Sequence, residues 1–99
     1  MNSTTATRSI TARQLFLLHV VRRHSGANTH QICDAVNGWH QAYESSLRDR
    51  LFTLEAYGLV KSFERKGRRG QVVARTWHLT QVGLEITSAY PSPKYDSNR

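Results

Sequence analysis

The stretch from Gln41 to Val60, QAYESSLRDRLFTLEAYGLV, constrains the fold more than any other part of the chain. Leu47, Leu51 and Leu54 recur at i, i+4 and i+7, one face of a helix, and Tyr43 extends that stripe one turn back. At about 100° per residue, the opposite face carries Ala42, Ser45, Ser46, Asp49, Phe52 and Thr53, with Arg48 and Arg50 on the flanks. Gly58 ends the helix where a left-handed backbone is cheap for glycine, and Leu59-Val60 begin an extended segment. An outer face that is small, polar and flanked by arginines suits a groove in nucleic acid. It also suits an ordinary amphipathic surface helix, so the segments on either side have to decide.

Charge is the first of these. The 99 residues include 14 basic and 7 acidic side chains, a net charge of +7, which favours polyanionic partners: nucleic acid first, an acidic membrane surface second. This length suits one domain, and 38% hydrophobic content predicts frayed ends around a compact middle. Cys33 is the only cysteine, so an internal disulfide is excluded and a reducing compartment is expected. No apolar run approaches a membrane span, and the polar first residues lack a signal-peptide core. The expected location is the cytoplasm, on the nucleoid and away from membranes.

Residues 1–10 are Ser/Thr-rich and aperiodic, which predicts a flexible arm. Thr11-Ala12-Arg13-Gln14 has the spacing of a capping box and opens a helix over about 11–24. Its Leu15, Phe16, Leu17, Leu18, Val20 and Val21 cover most of the circumference, as in a central core helix. Arg22, Arg23 and His24 sit at the negative end of its dipole, and Ser25-Gly26 stop it. Asn28 or Thr29 can cap a second helix, roughly 29–36, with Ile32, Ala35 and Val36 inward. Asn37-Gly38 signals a turn, and Trp39 is expected to plug the core beneath the helix pair. Two helices joined by a tight glycine-containing turn, the second polar on its outer face, form a helix-turn-helix arrangement.

After Gly58 the period changes to that of strands over 60–66 and 71–79, around Gly67-Arg68-Arg69-Gly70. Val73, Arg75, Trp77 and Leu79 share one side of the second strand; Trp77 and Leu79 are the expected inward anchors, with Phe63 opposite them. The hairpin carries Lys61, Arg65, Lys66, Arg68, Arg69 and Arg75 against Glu64 alone. Thr80 caps a last helix whose Val82, Ile86 and Ala89/Tyr90 are expected to face one side, and Pro91-Ser92-Pro93 end it.

In this order the residues resemble the winged helix-turn-helix regulators of the MarR/PadR type. Leu51-x-x-Leu54-Glu55-x-x-Gly58-Leu59-Val60 is similar to their junction of recognition helix and wing, Gly67–Gly70 to the wing tip, and Trp77-His78-Leu79-Thr80-x-x-Gly83 to the strand-to-helix exit. The match spans about 11–88, without the long C-terminal dimer helix or an effector domain. The expected fold class is therefore α+β, mainly α: a winged helix-turn-helix with a three-helix core, a two-stranded basic wing and a short C-terminal helix. The domain would occupy 11–90, with a flexible tail over 91–99. The resemblance implies a homodimer on double-stranded DNA, acting as a transcriptional repressor by occluding its operator.

Helix 41–57 would then lie in the major groove and the wing, 65–71, on flanking backbone or in the minor groove. The expected DNA-binding residues are Gln41, Ser45, Ser46, Arg48, Asp49, Arg50 and Thr53 on the helix, and Arg65, Lys66, Arg68, Arg69, Gln71 and Arg75 on the wing. Asp49 stands where such regulators often have a basic residue. Its carboxylate either accepts a hydrogen bond from cytosine N4 or pairs with Arg48, Arg50 or Arg13 to orient them. Phe52 has three open roles: packing on the wing, touching thymine methyls, or joining a dimer seam. Phe16, Phe52, Leu84 and Tyr90 are apolar groups free to serve a dimer. The five histidines match no compact zinc spacing, and no catalytic constellation emerges, so neither a metal, a cofactor nor an enzymatic activity is expected. Two alternatives keep the fold and change the role: a DNA-binding accessory factor in replication, partition or recombination, or a winged helix used on protein partners.

Overall fold

A computed structural model describes residues 10–37 and 43–93. The elements run α1 (Ala12–Arg23), α2 (Thr29–Asn37), α3 (Glu44–Ala56), β1 (Val60–Lys66), β2 (Val72–Leu79) and α4 (Gln81–Ala89). The two strands form one antiparallel hairpin, giving a winged-helix plan of four helices and a wing. The expected arm and tail lie outside the described residues except at Ile10, which packs on the core, and 91–93. Gly38, Trp39, His40 and Gln41 lie outside them too.

Three of the four described helices start where side chains satisfy the free amides of the first turn. Thr11 Oγ1 accepts the Gln14 amide and Gln14 Oε1 accepts the Thr11 amide, completing the anticipated box. Of the two caps considered for α2, Asn28 serves: its Oδ1 accepts from the Gln31 amide, and Gln31 Oε1 returns the bond to the Asn28 amide. The Asn-x-x-Gln spacing carried that signal in the sequence. α3 is different. Its N-cap, Tyr43, makes no side-chain cap bond and stands 70% exposed, so it does not continue the leucine stripe.

At the other end α3 closes with a Schellman motif. The Leu59 amide reaches back to the Leu54 carbonyl and the Gly58 amide to that of Glu55, with Gly58 at φ 81°. The motif points Leu59 and Val60 inward, where Leu18, Val21, Ile32, Leu51, Leu54 and Trp77 are also fully buried.

The strand register corrects one side-chain assignment. Ser62, not Phe63, lies opposite Trp77; Phe63 pairs with Thr76 on the other face and is 54% exposed. The strands alternate faces at every residue, so once Val60 is buried, Ser62 and Glu64 share its side and Phe63 cannot. Val73 is also exposed, beside an irregularity in the ladder at Arg65/Lys66. One contact of β2 has no cue in the sequence: Asn28 forms an isolated bridge with Thr76, while Gly26 and Ala27 exchange backbone bonds with Trp77.

α4 turns Gly83, Ile86 and Thr87 inward, rather than Ala89 and Tyr90. Thr80 Oγ1 caps it by accepting the Gly83 amide and also donates to the Gly58 carbonyl at 2.6 Å. Arg22 Nη1 donates to Thr87 Oγ1 at 3.0 Å, fastening α1 to α4. Phe16 is buried in the core and Phe52 packs on Trp77, so of the apolar groups set aside for a dimer only Leu84 and Tyr90 stay exposed without either use. No described helix is long and apolar enough to cross a membrane.

Candidate nucleic-acid interface

The outer face of α3 presents Ser45, Ser46, Arg48, Asp49, Arg50 and Thr53, all exposed. Neither Asp49 nor its neighbours Arg48 and Arg50 form an ion pair among the described residues. The orienting pairs considered for Asp49 are therefore not made in this structure, and its exposed carboxylate has no ion-pair partner among the described residues. Thr53 donates its hydroxyl proton to the Asp49 carbonyl at 3.0 Å and retains only acceptor capacity outward.

The wing is bolted to this helix by a short polar relay. The Glu55 carboxylate accepts both the amide and the hydroxyl of Ser62 at 3.0 Å. Ser62 Oγ in turn accepts from Arg75 Nη1 at 2.9 Å, and Arg75 Nη2 meets Glu64 at 2.6 Å. The Arg75 guanidinium lies 5.1 Å from the centroid of Phe52, whose ring meets Trp77 edge-on at 5.3 Å. Phe52 thus takes the first of its three open roles. Arg75, placed among the DNA contacts by the sequence, is half-buried and engaged at both terminal nitrogens; it positions the wing. Lys66 pairs with the other Glu64 oxygen at 3.2 Å. Lys66, and after it Arg75, hold the Glu64 carboxyl below its ordinary 4.5.

At the wing tip Gly67 and Gly70 let the chain reverse tightly. The Gly67 amide donates to the Gln71 carbonyl at 2.7 Å, the Gly70 amide to the Gly67 carbonyl at 3.0 Å, and Gly70 has φ 82°. A β-carbon on Gly67 would run into the Gln71 side chain. That side chain is itself bound inward, Gln71 Oε1 accepting the Arg69 amide at 3.1 Å, so Gln71 braces the turn. Arg65, Arg68 and Arg69 stay exposed and make no ion pair among the described residues.

The helix pair has its own tie. His30 on α2 faces Glu44 at the start of α3 at 3.2 Å through Nδ1, and Asp34 one turn along at 3.5 Å through Nε2. The Glu44 hydrogen bond, then the charges of Asp34 and Glu44, raise the His30 pKa above its ordinary 6.5.

The structure therefore keeps Ser45, Ser46, Arg48, Asp49 and Arg50 on one exposed helix face and Arg65, Arg68 and Arg69 on the wing joined to it. Arg75 and Gln71 are in addition bonded within the wing, to Ser62 and Glu64 and to the Arg69 amide. Glu55, Ser62 and Glu64, which do the joining, gave no sign of that role in the sequence. Their spacing says nothing until the strand register puts Ser62 across from Trp77 and Glu64 across from Arg75.

The family model for replication-relaxation matches residues 18–99. Among solved structures, Streptococcus pneumoniae FabT, crystallised in complex with DNA, superposes with a TM-score of 0.68 at 15% identity. The alignment covers 82% of this chain and 52% of FabT, so the shared part is about half of that protein. At that identity the likeness establishes the winged-helix fold. The sequence matches no curated protein.

Proposed function

This chain belongs to the replication-relaxation family, and from that premise we propose that it binds double-stranded DNA as an accessory factor in replication or DNA relaxation. One observation carries the proposal. The exposed α3 face, with Arg48, Asp49 and Arg50 free of internal ion pairs among the described residues, is fastened to an arginine-tipped wing by the Glu55–Ser62–Arg75 relay. Crystallisation of the structurally similar FabT with DNA supports the same reading.

In this scheme α3 enters the major groove, its serines and arginines meeting phosphates and base edges, and Asp49 accepts from cytosine N4. Arg68 and Arg69 at the wing tip neutralise phosphates alongside, releasing counterions. The domain binds and carries out no chemistry. A second copy related by a two-fold axis would read an inverted repeat, with exposed Leu84 and Tyr90 of the α4 region available for that contact. The MarR/PadR-like junction and wing motifs favour a second reading with the same contacts: repression by covering an operator.

A mobility-shift titration on random duplex DNA across a salt series tests the binding. Steep weakening with salt is expected, and selection of bound fragments from a genomic library should then return replication origins rather than promoters. Absence of any salt-dependent shift would refute duplex binding; promoter fragments would favour the repressor.

A further inference from the structure

The two faces of the wing differ in chemistry. On the side turned to α3, Ser62, Glu64 and Arg75 are tied into the relay beside the buried Trp77, and the one carboxylate is matched by two cations. The other side carries Lys61, Phe63 and Arg65 from β1, opposite His78, Thr76 and Ala74 of β2. It holds no carboxylate, and neither Lys61 nor Arg65 forms an ion pair among the described residues.

Phe63 stands 54% exposed in the middle of this face. A single exposed phenylalanine needs no explanation by itself, but this ring is held in place. Its edge-on contact with the His78 imidazole has centroids 5.2 Å apart and planes at 74°. The imidazole is in turn set between Ser25 Oγ at 3.4 Å from Nδ1 and Thr76 Oγ1 at 3.4 Å from Nε2. The Lys61 ammonium lies 5.9 Å from the Phe63 centroid. An exposed aromatic ring, fixed by a neighbour and flanked by cations on a two-stranded ribbon, has the makings of a platform for an unpaired base. Bases stack on the ring while the cations follow the phosphates. In a duplex the bases are already stacked on one another, so this ring has nothing to gain from intact DNA.

We propose that the Lys61–Phe63–Arg65 face of the wing, backed by His78, is a second nucleic-acid site that takes a single-stranded segment. Unpaired bases stack on Phe63 while Lys61 and Arg65 neutralise the backbone. The site lies on the face opposite the one tied to α3, so a duplex held by α3 and a strand opened beside it can be bound at once. The charge of the face selects this occupant over a second copy of the chain, which would bring another +7 towards it.

Fluorescence anisotropy of the full chain with labelled oligo(dT) of about 12 nucleotides tests the proposal, alongside an abasic oligomer of equal length and a duplex. Phe63→Leu should weaken oligo(dT) binding on the order of tenfold, as loss of one base–aromatic stack does, and leave duplex affinity unchanged. Phe63→Trp should restore it. The abasic oligomer, which keeps the phosphates and lacks the bases, should bind the native chain no better than oligo(dT) binds the Leu variant. The variant changes an exposed side chain, and an unaltered thermal melt verifies its fold. Equal oligo(dT) binding by native and Leu chains overturns the site, as does abasic binding equal to oligo(dT) binding. Conversion of a dimer to monomer by Phe63→Leu, with oligo(dT) affinity intact, overturns it in favour of a second copy. Duplex binding is measured separately, so its failure would not bear on the single-strand site.

Discussion

Trp77 Nε1 donates a 2.9 Å hydrogen bond to Thr29 Oγ1 with both residues buried, joining the second strand of the wing to the first turn of α2. It is the point where the helix-turn-helix and the wing share one core. Trp77→Phe removes the indole donor and strands the Thr29 hydroxyl, at a cost of about 3 kcal/mol from lost volume and an unmet polar group. Adding Thr29→Val should return about 1 kcal/mol of that loss. Urea unfolding of the two single variants and the double measures the coupling; simple additivity would mean that the bond contributes nothing.

The Glu55–Ser62 contact predicts an effect on binding through position alone. Glu55→Ala releases the Ser62 amide and hydroxyl, destabilising the fold by about 1–2 kcal/mol. Wing and α3 should then move more independently, lowering duplex affinity although Glu55 carries the charge that DNA repels. A variant that bound more tightly, as charge alone requires, would deny the relay its role.

Neutralising Arg68 and Arg69 together should weaken binding to similar extents on all duplex sequences. The slope of log affinity against log salt should fall by about 2, close to one unit per phosphate contact. Stability should hardly change, because both side chains are exposed and neither forms an ion pair among the described residues. The salt-series titration reads both quantities.

Gly83→Ala offers a test in which two effects oppose. Alanine in a helix is favoured over glycine by about 1 kcal/mol. Here, however, the added carbon falls on the Leu59 carbonyl oxygen, a backbone atom held by the Thr80 amide. The clash should win, giving a net loss of about 1–3 kcal/mol and a lower melting temperature. A rise in melting temperature would show that α4 can shift away from Leu59 without loss.

His30 makes stability depend on pH near neutrality. Its folded pKa is raised above 6.5 by Glu44 first and Asp34 next, so the protonated ring stabilises the fold. That contribution is complete below the unfolded value and disappears as pH rises through the folded one. Melting temperature should decline slightly as the pH climbs from 6 to 8, and His30→Gln should flatten the profile. Glu64 acts in the opposite sense: its depressed pKa gives stability above 4.5 that is lost as acid titrates the folded group. Thermal melts across both windows separate the two.

Much of the architecture was legible before any coordinates, because the cues were local. Leu47, Leu51 and Leu54 are buried as their spacing required, Thr11 and Gln14 form the box that their separation allows, and Gly58 adopts the left-handed backbone at the helix end. Exposure of Ser45, Ser46, Arg48, Asp49 and Arg50 follows from the same helical period. The wing was legible as a hairpin but not as two chemically different faces. Phe63 reads as a core anchor because apolar residues usually turn inward, and the ties of Arg75 to Ser62 and Glu64 leave no mark in a basic run.

What the chain alone determined, then, is whatever depends on neighbours within about one helical turn or one strand repeat: element types, caps, stops and the excess of positive charge. What only the tertiary structure decided is which of those charges are spoken for. Arg75 and Lys66 are matched by Glu64, and Gln71 by the Arg69 amide, while Arg48, Arg65, Arg68 and Arg69 have no such partner among the described residues. The reason is physical: a cation's role depends on which groups lie within a few ångströms of it, and across a hairpin or between helix and wing that distance is set by register and packing, not by position along the chain.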